Sequence, residues 1–237
     1  MNVLDIGVIL ILLMFAIVGF KQGVIRELFA LVGIILIFYV AFYLSGMAGD
    51  ILCLTLPFID FKGSIEGMSA INLLLYQALA FILIFAVLLS VYEIILKVSK
   101  ALQKIVNLTI ILWLPSKLLG GIVGLLKRYI LVFIILLVLI IPFGGSSLYE
   151  TSKFADKIVF GTPVLSNSIG SITKSTREVY SLADRVIRED ISVNEANLET
   201  IDILLEHDIV DKKTVKELVR QGKLVNVNNY DKVLNKY

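Results

Sequence analysis

The residues with the clearest chemical potential are charges within or beside long apolar runs: Asp5, Arg26, Glu27, Glu93, Lys127 and Arg128. Placing a charge at the centre of a bilayer costs about 2.5–3.5 kcal/mol on insertion scales, so such residues are candidates for ion pairs, polar paths or headgroup contacts. Asp5 is expected to be interfacial or a helix cap. Glu93 is expected to pair with Lys97 four residues later. Arg26 and Glu27 either pair with charges elsewhere in a bundle or lie among headgroups.

Lys127 and Arg128 lie inside the last apolar run. Counted from Leu118, both are ~15 Å into that helix. Adjacent residues on a helix point about 100° apart, so the two side chains are expected to face different surroundings. One is expected to face the bundle interior, and the other to reach the cytoplasmic headgroups.

Other kinds of chemistry have little material in this chain. It contains one His and one Cys, whereas zinc and haem sites need several convergent ligands. His207 is expected at a helix end, where it interacts with the helix dipole. Cys53 is expected to be a small hydrophobe in an apolar loop. Because the sequence also lacks GxSxG, Walker, HExxH and dinucleotide motifs, we predict no catalytic, metal or cofactor site.

The composition indicates which kind of structure holds these charged residues in place. Of 237 residues, 58% are hydrophobic and 18% are charged, against roughly 45–50% and 25% in soluble domains. Of the 42 charged residues, 27 fall in residues 146–237. The chain is therefore predicted to have a membrane domain over 1–145 and a polar, mostly helical region over 146–237. A net charge of +2 argues against a nucleic-acid partner, and a single cysteine excludes an intrachain disulfide framework.

The hydropathy pattern predicts an all-α membrane protein with four transmembrane helices, over residues 3–20, 24–44, 69–92 and 118–143. The glycine-rich stretch 45–68 is predicted to be a loop. Residues 93–115 are predicted to form a basic amphipathic helix at the membrane interface. The start of the last span stays open between Leu118 and a position near Tyr129.

Small residues four positions apart mark the predicted helix contacts: Gly19 with Gly23, and Gly120 with Gly124. This spacing allows helix backbones to approach closely in lipid. Packing within one bundle is favoured over a dedicated dimer motif.

The distribution of Lys and Arg predicts the orientation. Eight Lys and Arg residues lie at one end of the spans, in the short connections and at the starts of the helices that follow them. Three lie at the other end of the spans. Because the cytoplasmic side carries the excess, both termini are predicted to be extracytoplasmic.

The C-terminal region also has helical periodicity. One helix is predicted from about residue 169 to Glu189, and a second begins at Asn194 or Asn197. A third covers residues 212–221 and stops at Gly222. The pattern leaves open whether this appendage packs on itself or on a partner.

Two stretches carry a resemblance to a known family. The start of the chain resembles the N-terminal signature of the colicin V production protein (CvpA) family. The resemblance lies in Asp5 and, at a similar spacing, the run Gly19-Phe20-Lys21-Gln22-Gly23-Val24-Ile25-Arg26-Glu27-Leu28. The family's second signature is similar to the run Ser116-Lys117-Leu118-Leu119-Gly120-Gly121-Ile122-Val123-Gly124-Leu125-Leu126-Lys127. Ser116-Lys117 replaces the usual Asn-Arg, and Arg128 stands where a glycine is usual. The resemblance therefore implies that Lys127, at a position where the family has a basic residue, faces the bundle interior toward Glu27 or Glu93, and that Arg128 faces lipid or headgroups. The resemblance covers about residues 1–145.

The resemblance implies a bacterial inner-membrane protein with a role in toxin production or secretion, or in envelope homeostasis. It transfers no catalytic residue and no cofactor. The expected partners are the lipid bilayer and either further copies of the chain or other membrane and envelope proteins. The alternative is a small oligomeric channel or transporter, with Lys127 and Arg128 near its polar path.

Overall fold

The computed structural model describes residues 2–19, 24–103, 113–143, 149, 151–162 and 170–237. All regular structure within those ranges is helical, which confirms the predicted all-α class. Its apolar part consists of four long helices: α1 (Val3–Gly19), α2 (Val24–Thr55), α3 (Ile71–Gln103) and α4 (Trp113–Phe143).

Three stretches are long and apolar enough to cross a bilayer: Glu27–Thr55, Ile71–Lys97 and Leu119–Ile140. The apolar stretch described in α1, Val3–Leu13, is shorter. The chain therefore has three candidate spans among its described residues. A fourth span, at residues 3–20, stays a prediction.

Helix α2 corrects the predicted loop at 45–68. The helix continues to Thr55, and Cys53 is buried within it rather than in a loop. The glycines that suggested a turn include Gly49, which lies against the neighbouring helix α3. A Cβ atom at Gly49 would come within 2.2 Å of Gln77 Oε1, so the residue allows close packing and does not end the helix.

Helices α3 and α4 also run further than predicted. Helix α3 continues through residue 92 to Gln103, so the start of the predicted interfacial helix continues the third span. Residues 104–112 lie outside the described part. Helix α4 begins at Trp113, ahead of both Leu118 and Tyr129, with Pro115 in its first turn, where proline is tolerated. Lys127 and Arg128 consequently lie near the middle of one continuous helix.

Helix α2 packs against both α3 and α4, and α1 packs against α4. Phe38 of α2, fully buried, lies at the centre of the bundle. Its ring centroid is 5.9 Å from that of Phe81 in α3 and 6.3 Å from that of Phe133 in α4, both edge-on. Edge-to-face aromatic pairs at these distances stabilise beyond their buried area. The ring cluster therefore joins the three candidate spans.

The polar region forms further helices, α5 (Lys153–Gly161), α6 (Gly170–Ile187), α7 (Val193–Glu206), α8 (Lys212–Arg220) and α9 (Tyr230–Leu234). Helix α7 starts differently from the prediction. Its cap is Ser192, whose hydroxyl accepts a hydrogen bond from Glu195 N at 3.2 Å, and neither Asn194 nor Asn197 has that role. A serine at this position satisfies an amide that the helix leaves unpaired.

The appendage, residues 170–237, packs both on itself and on the bundle. Helix α6 contacts α7 and α4, α7 contacts the start of α3, and α8 contacts the last turns of α2. The appendage therefore covers the end of the bundle where α2 ends and α3 begins.

Candidate functional site

Three of the predicted charges meet inside the bundle. Glu27, in the first turn of α2, has no exposed surface. Lys127 Nζ lies 2.6 Å from Glu27 Oε2, and Arg128 Nη1 lies 3.8 Å from Glu27 Oε1. The cation side chains are only 13% and 7% exposed. These three residues, the charge cluster, join α2 to α4 by an ion pair within one chain.

The position of Arg128 differs from the expectation that it faces lipid or headgroups. Only 6% of the residue is exposed. Its side chain turns back along α4, where Nη1 donates a hydrogen bond to Gly124 O at 3.0 Å. Long helical side chains point toward the N-terminus of their helix, so two adjacent cations can approach the same carboxylate although their Cα–Cβ bonds diverge.

The carboxylate of Glu27 is held by ion pairs rather than by hydrogen bonds. Buried ions lose hydration, and the two cations offset part of that loss, although neither oxygen of Glu27 accepts a hydrogen bond from the described residues. Removal of one partner leaves an uncompensated charge, which is the costly state. The arrangement therefore connects α2 to α4.

Asp5 connects α1 to the start of α5. It is fully buried, and its Oδ1 accepts hydrogen bonds from Ser152 Oγ at 2.6 Å and Phe154 N at 3.1 Å. Its Oδ2 accepts from Asn2 N at 3.1 Å. Ser152 is itself the cap of α5, accepting from Ala155 N. A carboxylate at this position stabilises the positive end of the α5 dipole.

Other predicted site residues do not join the charge cluster. Glu93 and Lys97 are both exposed on α3, and the described part of the chain has no ion pair between them. Gly120 and Gly124 are buried on α4, the helix that packs against α1. The side chain of Arg26, all of Gly23 and the surroundings of Gly19 lie outside the described residues, so the glycine contacts stay predictions.

The sequence analysis missed the contacts that hold the appendage on the bundle. Lys223 Nζ donates to the carbonyl oxygens of Cys53 at 3.0 Å, of Leu54 and of Leu56 at 3.1 Å. The last carbonyls of a helix have no partner within it, and a cation also interacts favourably with the negative end of the dipole. Lys223 therefore caps α2 from a distant position in the chain.

Asn197 makes a second set of contacts between the appendage and the bundle that the sequence analysis missed. Its side chain is buried and accepts a hydrogen bond from Ala70 N at 3.0 Å. Its amide group donates to Gly67 O at 2.9 Å and Val225 O at 3.0 Å. A signal for this role existed, because Asn197 lies on the apolar face of its helix, four residues before buried Ile201.

The long apolar helices and their buried ion pair define a multi-pass integral membrane protein. A model of the colicin V production protein family matches residues 4–163 of the chain. The chain therefore belongs to the colicin V production protein family. The matched region extends past residue 145 and includes α5, whose first turn is bonded to Asp5. No curated protein and no solved structure matches the chain.

Proposed function

We propose that this protein is a non-enzymatic component of the bacterial cytoplasmic membrane that acts through a membrane or envelope partner. The process served is toxin production or secretion, or more broadly envelope homeostasis. Family membership supports this proposal. The observation that carries it is the attachment of the appendage by Lys223 and Asn197 to the end of the bundle.

That attachment gives the appendage a defined position relative to the spans. Its outer surface carries the ion pair Arg188–Asp184, and its Arg177 pairs with Asp156 of α5. These four side chains are all more than half exposed. Exposed ion pairs contribute little to stability. Such a polar surface suits a non-obligate protein interface, which is about as polar as the rest of a protein surface.

A small channel or transporter, the alternative, has less support. A polar path needs charges that a passing solute can reach. The cationic groups of Lys127 and Arg128 face Glu27 of the same chain and are largely buried. The number of helices is also small for a carrier built from paired repeats.

The proposed orientation places the appendage outside the cytoplasm. The excess of Lys and Arg at the opposite end of the spans supports it. The end of α2, the start of α3 and the appendage lie together at one end of the bundle, which is compatible with this orientation.

The test measures secretion of colicin V by a producing strain. The gene for this protein is deleted from that strain, and wild-type or variant copies are supplied on a plasmid. Lys223→Ala should reduce secreted toxin, because the appendage is no longer held on α2. Lys232→Ala is the matched control, since Lys232 is exposed and its side chain has no hydrogen bond or ion pair among the described residues.

Photo-crosslinking then addresses the partner directly. A photoreactive residue at exposed Ser181 of the appendage should capture one defined protein, and the same residue at exposed Leu83 of α3 should not. Normal secretion with Lys223→Ala, or the same crosslinked products from both positions, would contradict the proposal.

A further inference from the structure

A cavity of about 300 Å³ lies between the bundle and the appendage. Its apolar wall includes Phe42, Leu74, Phe81 and Leu137, from α2, α3 and α4. Its polar end includes His207 and Asp208, which follow α7. The cavity is therefore amphipathic, with one end formed by spans and the other by the appendage.

The cavity lies about one hydrocarbon thickness from the far ends of two candidate spans. Gly46, in its wall, follows Glu27 by 19 residues, which is about 28 Å along a helix. Gln77, on the facing helix, precedes Lys97 by 20 residues, or about 30 Å. Glu27 and Lys97 mark the far ends of their candidate spans, and a hydrocarbon core is about 30 Å thick.

The cavity opens toward lipid. Tyr43 lines it, yet 84% of that residue is exposed. The same side of α2 carries exposed Tyr39, Val40 and Met47, an apolar face suited to acyl chains. A lipid can therefore enter from the side without first crossing water.

We propose that this cavity binds one membrane phospholipid with an amine-bearing, zwitterionic headgroup. Its acyl chain packs against Phe42, Phe81 and Leu137. The imidazole of His207 donates a hydrogen bond to the phosphate, and the carboxylate of Asp208 accepts from the ammonium group. In the described part of the chain neither side chain has a hydrogen bond or ion pair, so both are available to a headgroup.

This inference does not depend on the proposed role in toxin production. A phospholipid in this position would contact both the spans and the appendage, in addition to the direct contacts of Lys223 and Asn197. It would be retained through purification more strongly than lipids on the outer surface of the bundle.

Native mass spectrometry of the full chain in mild detergent tests the proposal, with added dioleoyl phosphatidylethanolamine and dioleoyl phosphatidylglycerol as probes. The wild type should retain one phosphatidylethanolamine per chain. Gly46→Phe should weaken that binding about tenfold or more, because the new side chain occupies the cavity. A Cβ atom at Gly46 meets nothing within 4 Å, so the backbone has room for the change.

Gly7→Phe is the matched control, because a Cβ atom at Gly7 of α1 also meets nothing within 4 Å. It should bind the phospholipid as the wild type does. If Gly46→Phe fails to accumulate, Ala78→Phe fills the cavity from α3 instead. Equal lipid retention in the cavity-filling variant and the control would overturn the proposal.

The headgroup assignment has its own measurement. Asp208→Asn should abolish the preference for phosphatidylethanolamine over phosphatidylglycerol while a lipid is still bound. An unchanged preference in Asp208→Asn and His207→Ala would show that the appendage does not recognise the headgroup.

Discussion

Lys127 Nζ lies 2.6 Å from Glu27 Oε2 and connects the middle of α4 to the first turn of α2. The two residues are 100 positions apart, and Glu27 has no exposed surface. Because the pair is formed within one chain and in an apolar surrounding, its main physical effect is to fix two helices relative to each other.

Breaking this pair should destabilise the bundle. Glu27→Gln leaves two cations close together without their carboxylate, and loss of one partner of a buried pair costs about 3–5 kcal/mol. We expect a clearly lower thermal midpoint in detergent and less protein in the membrane fraction. Glu93→Gln is the control, because Glu93 is exposed on α3. Equal midpoints in the two variants would show that the pair contributes nothing.

Arg128→Gly should also destabilise the protein, although a glycine is usual at this position in the family. The change removes the hydrogen bond to Gly124 O and a cation near Glu27, together worth about 1.5–3 kcal/mol for charged groups. Arg185→Gly in α6 is the matched control for glycine in a helix, since its ion pair with Glu199 is 42% exposed on both sides. Thermal unfolding of both variants measures the difference, and a smaller loss for Arg128→Gly would contradict the structure.

The contrast between these two cations shows what the sequence could determine. The helical period and the cost of burial predicted that one of the two cations faces the interior, and the family pattern selected Lys127. The structure brings Lys127 to Glu27. The same period was misleading for Arg128, because the length and direction of an arginine side chain decide where its charge lies.

Glycines gave a similar ambiguity. Gly49 and its neighbours were interpreted as a loop, since glycine disfavours a helix in water. Only the structure shows that Gln77 packs so closely against Gly49 that a side chain at position 49 would collide with it. The contacts of Lys223 and Asn197 join residues more than 120 positions apart, which local patterns do not encode.

Gly49→Ala should lower stability whereas Gly46→Ala should not. A Cβ atom at Gly49 would lie 2.2 Å from Gln77 Oε1, so the buried Gln77 side chain must move and lose its bond to Asp50. At Gly46 the space is open, and alanine improves helix propensity by up to about 1 kcal/mol. Unfolding midpoints of the two variants, three residues apart on one helix, test this difference. Equal shifts would argue against close packing at Gly49.

Asn197→Ala should loosen the appendage and expose the end of α2. The variant leaves Ala70 N without its partner, at about 1–3 kcal/mol for a buried group, and removes one of the two hydrogen bonds at Gly67 O and at Val225 O. Cys53, the single cysteine and fully buried, reports the change as faster labelling by a maleimide. Asn228→Ala is the control, since that residue is exposed. An unchanged labelling rate would place the appendage contacts elsewhere.

The orientation can be tested with two cysteines, one on the appendage and one near the end of α3 that lies away from it. In a Cys53→Ala background, Ser181→Cys on the appendage should react with an impermeant maleimide in intact spheroplasts. Lys97→Cys should react only after the cytoplasmic membrane is permeabilised. Both positions are exposed, so burial within the protein does not limit their labelling. The opposite pattern would reverse the proposed topology.

The distance in sequence between Cys53 and Lys223 has a consequence during synthesis. At roughly 5–20 residues per second, the ribosome adds the 170 residues that separate them in about 10–30 s. Until Lys223 has been made, the last carbonyl groups of α2 have no lysine from which to accept a hydrogen bond. The cap of α2 is therefore completed only late in translation, when the nascent appendage supplies it.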